Sequence, residues 1–318
     1  MPELPSSPEL AVEVRALVKR FGALLAVDNL GFSVRRGEIF GLVGPDGAGK
    51  TTAMRMLASV MKPDAGAIRI DGVDVVAQPA RARHHVSYMP QRFGLYEDLT
   101  VDENIRFYAD LFGIERRDWT ERADRLLEAS GMTRFRGRLA GQLSGGMKQK
   151  LGLSCALVHA PRVLLLDEPT TGVDPVSRRE FWQLLYGLRA QGVATVISTA
   201  YLDEAERCDR LALLHRGRLM YCDTPQQLKR DMPGAIVRVT APEPRRLLPR
   251  LAGMPGLLGQ LLVGTGLHLH VDDAALRLPQ LRERLRDEAV QGIDAVEPSI
   301  EDLFVALLGP SEGEDGDG

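Results

Sequence analysis

The sequence predicts an α/β domain built on a mostly parallel sheet, followed by a smaller α+β domain, and three observations carry that prediction. The apolar run at residues 39–43 feeds into a glycine-rich loop. A second apolar run, residues 163–166, stops at two adjacent carboxylates, Asp167 and Glu168. From residue 163 to residue 222, strand-like and helix-like patterns alternate, which is the rhythm of βαβ units.

Taken in order, residues 12–18 and 30–34 alternate apolar and polar side chains around turns, as strands do. The loop after residue 43 opens a helix-like stretch over residues 50–60, and helical patterns such as Asp124-Arg125-Leu126-Leu127 dominate residues 101–129. Beyond the strand at 163–166 come a helix at 175–190, a strand at 193–198, a short helix at 203–208, and strands near 211–214 and 219–222. Past Met232-Pro233-Gly234 the pattern changes: a strand at 236–240, a helix at 245–251, apolar pieces at 261–263 and 267–271, a helix at 278–288 and a strand at 293–296. This reads as a separate small α+β domain of ferredoxin-like order. The expected divisions are a flexible tail at 1–9, a first domain at 10–230, a second at 231–308, and a disordered acidic tail at 309–318, which has almost no apolar side chain to pack.

The 318 residues, 44% of them hydrophobic, suffice for one large core and a smaller second one. With 40 basic and 43 acidic residues well mixed and a net charge of −3, there is no global electrostatic case for nucleic acid or anionic lipid, and no nucleic-acid partner is expected. Apolar runs such as 163–166 and 257–263 fall short of the roughly 20 residues a membrane span needs. The first residues lack the order of a secretory signal, so a cytoplasmic location is expected. Cys155, Cys208 and Cys222 have no metal-type spacing and suit a reducing compartment as inert small apolar residues.

Gly44-Pro45-Asp46-Gly47-Ala48-Gly49-Lys50-Thr51 satisfies the eight-residue P-loop pattern, between a predicted strand and a predicted helix. Glycines let successive backbone N–H groups turn toward phosphates, and the helix N-terminus adds its positive dipole. Lys50 reaches the β- and γ-phosphates of a nucleotide, and the Thr51 hydroxyl ligates Mg²⁺. Ligands of open α/β sheets sit at the carboxyl ends of strands, so Asp167 and Glu168 face the same nucleotide: Asp167 as a Mg²⁺ ligand through water, Glu168 to polarise the attacking water. In Leu143-Ser144-Gly145-Gly146-Met147-Lys148-Gln149, Ser144 is a candidate N-cap for a helix running to about His159, and Gly145 and Gly146 leave first-turn N–H groups bare as a second anion site.

Together, in this order over residues 10–228, these segments resemble the ABC ATPases. The resemblance implies a P-loop ABC nucleotide-binding domain with antiparallel β and helical subdomains, followed by the small α+β domain. It implies ATP and Mg²⁺ as cofactors, with Thr52 beside Thr51 in the nucleotide-binding set. Residues 143–149 match the signature motif, which binds the γ-phosphate held by the opposite subunit. Gln91, in Tyr88-Met89-Pro90-Gln91, matches the glutamine that links Mg²⁺ and water to the transmembrane partner. Phe21 matches the aromatic that stacks on adenine, and Asp174 the aspartate that crosses the dimer interface. Where the family carries a histidine, the run Ile197-Ser198-Thr199-Ala200-Tyr201 has Ala200, and His84, His85, His159 and His215 lie at other positions, so hydrolysis at this chain's own P-loop is expected to be impaired.

Within the family, residues 95–104, 171–175 and 299–307 are similar to ATPases of ABC-2-type exporters, including the daunorubicin-resistance type. This implies ABC-2-type transmembrane subunits as partners, a homodimer or a heterodimer with a second ABC ATPase, and a place on the inner face of the plasma membrane. Two other readings remain: a soluble ABC ATPase of translation or repair, and a low-turnover nucleotide-gated regulatory subunit. Against the first, no heptad run lies between Thr51 and Leu143, and one nucleotide domain is present rather than two.

Overall fold

The computed structural model describes residues 10–92, 94–264 and 266–308, so the expected tails at 1–9 and 309–318 lie outside the described residues. Two compact units divide the chain. One runs up to Glu204 and resumes over Cys208–Cys222; the other holds Ala205–Arg207 and the chain from Asp223 onward. Residues 223–230, expected with the first domain, are thus grouped with the second. Within that second unit Glu206 accepts from the Ile300 backbone N–H at 3.2 Å and pairs with Lys229 at 2.9 Å, joining Pro225–Arg230 to Ile300–Leu308.

In the first unit, β1 (Leu10–Phe21) and β2 (Leu24–Arg35) form a long antiparallel hairpin. β3 (Ile39–Val43) follows, and β4 (Ala65–Ile70) and β5 (Val73–Asp74) extend the hairpin into a sheet of order β2-β1-β4-β5. β6 (Val86–Met89), β7 (Val163–Asp167), β8 (Ala194–Thr199), β9 (Arg210–His215) and β10 (Arg218–Asp223) join β3 in a six-stranded sheet of order β10-β9-β3-β8-β7-β6. Every pairing from β9 across to β6 is parallel.

A parallel sheet covered on both faces favours continuous apolar strands, and β3 and β7 are buried at every position. The period of two then sends alternate residues into different cores. Val163 and Leu165 pack with Met54, Leu57 and Phe40 in one cluster, whereas Leu164 and Leu166 pack with Phe181, Trp182 and Leu185 in the other. The first is closed by the antiparallel sheet and the helix Lys50–Leu57, the second by the helix Pro175–Ala190.

The middle of the chain folds into helices Val101–Leu111, Arg116–Ala129 and Gly145–Leu157 around Ile105, Ala109, Leu127, Leu151 and Cys155. Thr100 starts the first of these through a capping box, accepting from Glu103 N at 3.2 Å while Glu103 Oε2 accepts from Thr100 N at 2.8 Å.

The second unit contains β11 (Ala235–Thr240), β12 (Leu257–Val263), β13 (Gly266–Val271) and β14 (Gly292–Val296), antiparallel in the order β12-β13-β11-β14. With short helical turns over 244–251 and the helix Ala274–Arg284 between strands, this is the ferredoxin-like arrangement. That helix begins four residues before the expected position, because the Asp273 carboxylate caps it by accepting from Ala275 N and Leu276 N.

Candidate nucleotide-binding site

β3 ends at Val43, the loop 44–49 turns back, and the helix Lys50–Leu57 begins on Gly49. Gly49 has φ +101°, and a Cβ there would lie 2.5 Å from the Ala26 carbonyl oxygen, so no other residue fits without a shift. Within the loop Gly44 and Ala48 are buried, whereas Asp46 and Gly47 are exposed. Thr52 is half-buried in the first helical turn.

Lys50 is 4% exposed, its ammonium enclosed by the loop it follows. It donates to the Gly44 carbonyl at 2.9 Å and the Pro45 carbonyl at 3.1 Å. Its carboxylate neighbours are Glu168 Oε1 at 3.3 Å and Asp46 Oδ1 at 3.9 Å.

The parallel pairing of β6, β7 and β8 brings three strand ends together. Asp167, the last residue of β7 and 1% exposed, accepts from Ser198 Oγ at 2.6 Å and Thr51 Oγ1 at 3.1 Å on one oxygen, and from Tyr88 OH at 3.1 Å on the other. Burying a carboxylate is costly without such partners, and three hydroxyl donors meet that cost. Burial, and then the Asp167 carboxylate, push the Tyr88 phenol upward, so it remains a donor.

Glu168 sits one residue beyond the strand at φ +49°, the left-handed region that costs a non-glycine residue about 1–3 kcal/mol. Its N–H is held on Ser198, 3.1 Å from both the carbonyl and the hydroxyl oxygens. Its carboxylate accepts from Gln91 Nε2 at 2.9 Å on Oε2 and faces Lys50 on Oε1. Ala200 follows β8 directly, exposed, and the preceding Thr199 carbonyl accepts from Gly44 N at 3.4 Å.

Lys50, Thr51, Gln91, Asp167 and Glu168, far apart in sequence, are therefore one site. Ser144, Gly145 and Gly146 lie elsewhere, at the start of the helix Gly145–Leu157. Ser144 caps that helix by accepting from Met147 N at 3.4 Å. Asp174 caps the helix Pro175–Ala190, accepting from Val176 N and Ser177 N, and those backbone N–H groups hold its carboxyl below the usual range. Phe21, at the end of β1, is 46% exposed with the Lys19 ammonium 5.7 Å from its ring centroid. Tyr88 and Ser198 were not legible as site residues. Their signal lay in strand adjacency, which a single sequence does not display.

A family model described as ABC transporter matches residues 27–171, a span that contains the loop, Gln91, the signature segment and the acidic pair. The chain is 35% identical over 310 residues to "Daunorubicin resistance ATP-binding protein DrrA2" of Streptomyces coeruleorubidus, covering 94% of this chain and 95% of that one. This chain belongs to the ABC transporter ATP-binding proteins.

Other ABC relatives agree. "Nod factor export ATP-binding protein I" of Burkholderia thailandensis is 36% identical, covering 94% of this chain and 97% of that protein. "Probable multidrug ABC transporter ATP-binding protein YbhF" of Escherichia coli is 43% identical over 95% of this chain but 52% of its own length, so the chain spans about half of that relative. A solved structure of the ATP-binding subunit of an ABC transporter matches with 32% identity and a TM-score of 0.64, covering 69% of this chain and 92% of that one. Phe21 and Ala200 fall outside the residues matched by the ABC family model. Among the described residues, no helix is long and apolar enough to cross a membrane.

Proposed function

We propose that this chain is the ATP-binding and ATP-hydrolysing subunit of an ABC-2-type exporter, docked on the cytoplasmic face of separate transmembrane subunits. The observation that carries the ATPase reading is the convergence of Lys50 and Gln91 on the Glu168 carboxylate beside the Thr51–Asp167 pair. Lys50, freed from its loop carbonyls, moves to the β- and γ-phosphates, and the main-chain N–H groups of loop 44–49 bind their oxygens. Glu168, pinned by its backbone, polarises the water that attacks the γ-phosphorus and yields ADP and phosphate. Gln91 orients that carboxylate through its amide N–H.

The oxygen donors Thr51, Asp167 and Gln91 suit a hard divalent cation, and these residues would hold Mg²⁺. When bound, Mg²⁺ neutralises charge on the phosphate oxygens. Phe21 would stack on adenine. Ser144, Gly145 and Gly146 would complete the site of a second ABC subunit, identical or not, so that two chains close on two ATP molecules and shift the membrane subunits between conformations. Export is inferred from relatives whose names specify daunorubicin resistance, Nod factor export and multidrug transport.

Ala200 offers no hydrogen-bond donor to the γ-phosphate, and we assign the isolated chain a slow turnover for that reason. The test of the whole reading is MgATP turnover with and without the copurified membrane partner. Glu168→Gln should bind MgATP with parental affinity while losing about 10²–10⁴-fold in rate, the usual worth of a positioned base. Parental turnover in that variant would remove the role of Glu168.

A further inference from the structure

Glu204 is a fully buried carboxylate that none of the motifs above includes, and three segments of the nucleotide site meet on it. Its Oε1 accepts from Thr170 Oγ1 at 2.6 Å and from Trp182 Nε1 at 3.3 Å, and its Oε2 accepts from Thr199 Oγ1 at 2.9 Å. Arg178 Nε, buried and without a hydrogen-bond partner among the described residues, stands 3.7 Å from Oε1 and supplies the opposite charge. The same guanidinium lies over the Tyr201 ring, 4.6 Å from its centroid.

The four partners come from three parts of the machinery. Thr170 is two residues past Glu168, in the loop that runs to the helix-capping Asp174. Thr199 precedes Ala200, and its hydroxyl also accepts from Tyr201 N at 2.9 Å, which fixes the main chain on both sides of position 200. Trp182 and Arg178 lie on the helix Pro175–Ala190, whose first turn touches the signature segment: a Cβ at Gly146 would lie 2.3 Å from Ser177 Oγ.

A buried charge is tolerated when it is paired and hydrogen-bonded, and an ionised carboxylate is acceptor-only, so it takes all these donors at once. A glutamine of the same shape would put an NH2 group in place of one oxygen, facing either the donor-only Trp182 Nε1–H and Thr170 or the Thr199 hydroxyl that already donates inward, and would remove the charge opposite Arg178.

We propose that Glu204 is a positioning residue that locks loop 168–174 and the segment 199–201 to the helix Pro175–Ala190, and so ties this chain's own phosphate site to its own signature segment. In a chain with alanine at position 200, the placement of that segment depends on this lock. The inference draws on the ATPase reading for one of its two readouts; the other is independent of turnover.

The test is hydrogen exchange of the full-length protein, with MgATP kinetics, for Glu204→Gln and for Thr199→Val, which deletes one donor without inserting an amide. For Glu204→Gln, amides at 170–174 and 199–203 should exchange about tenfold or more faster, and kcat should fall about tenfold, the scale of one lost charge-assisted hydrogen bond. MgATP affinity and exchange in β11 and β13 should stay within about twofold, because those strands belong to a unit with an apolar core of its own. Thr199→Val, which also takes the acceptor from Tyr201 N, should reproduce the effect at 202–203 and add little there to Glu204→Gln, because the Thr199–Glu204 bond is lost in both. Parental exchange in both segments overturns the proposal, as does a loss spread over both units together with MgATP affinity. A parental protein without any MgATP turnover would count against the proposed function alone, because the exchange readout still decides the inference.

Discussion

Lys50 is held by two carbonyls of its own loop and by Glu168, so in the role proposed for it the ammonium would exchange these partners for phosphate and would not come from bulk water. Lys50→Ala removes a mobile cation whose charge-assisted hydrogen bonds are worth about 1.5–3 kcal/mol. MgATP affinity measured by titration should therefore fall about ten- to a hundredfold. An unchanged titration would withdraw the P-loop assignment. Ala200 poses the opposite question, since the position lacks a group instead of holding one. Its place one residue beyond Thr199, whose carbonyl is bonded to Gly44 N, puts it beside the phosphate loop. Ala200→His should raise turnover by about ten- to a hundredfold if the new donor engages in the transition state, with MgATP affinity nearly unchanged. Brisk parental turnover with no gain from histidine would show that Ala200 is harmless.

At the scale of elements, the two signature glycines differ in what they do. Gly145 is exposed, and a Cβ there would have the Gly172 carbonyl as its nearest neighbour at 4.0 Å. Gly146 is buried against Ser177. Gly146→Ala should push the helices Gly145–Leu157 and Pro175–Ala190 apart and destabilise the chain by about 1–3 kcal/mol, whereas Gly145→Ala should be tolerated in thermal unfolding. Equal melting temperatures for the two variants would refute that division. The elements that carry this chemistry were legible because their local signals agree: β3 and β7 are apolar runs ending on loop and carboxylates, and Asp174-Pro175 starts a helix by cap and proline. β4 and β5 were not legible, because Ala65-Gly66-Ala67 is small and exposed and becomes a strand by pairing with β1, more than forty residues away in sequence. The sequence pattern puts the start of the helix Ala274–Arg284 too late for a local reason, since Pro279 reads as a helix start but lies inside one capped by Asp273. The network on Asp167 escaped sequence reading for the reason β4 did: Tyr88 and Ser198 reach it from neighbouring strands.

At the scale of the whole molecule, each unit has its own apolar core. The clusters that hold the nucleotide site draw on residues 11–222, and the cluster of the ferredoxin-like unit draws on residues 235–293. Every residue placed in the phosphate site and the signature segment belongs to the first unit. A chain ending at residue 231 therefore removes one complete core and leaves the others with their packing partners. It also strips the Ile300 N–H from Glu206, which keeps Lys229, and an exposed pair of that kind is worth about 0–1 kcal/mol. Some cost remains, because Leu228 and Met232 are buried in the full chain and one is exposed while the other is lost. These losses lie outside the nucleotide site, so the shortened chain should elute as a discrete species and bind MgATP within about threefold of parental affinity, a difference under 1 kcal/mol. If it aggregates, or if its MgATP titration is flat where the full chain saturates, the ferredoxin-like unit is a structural cap on the nucleotide-binding unit and not a domain with a core and a role of its own.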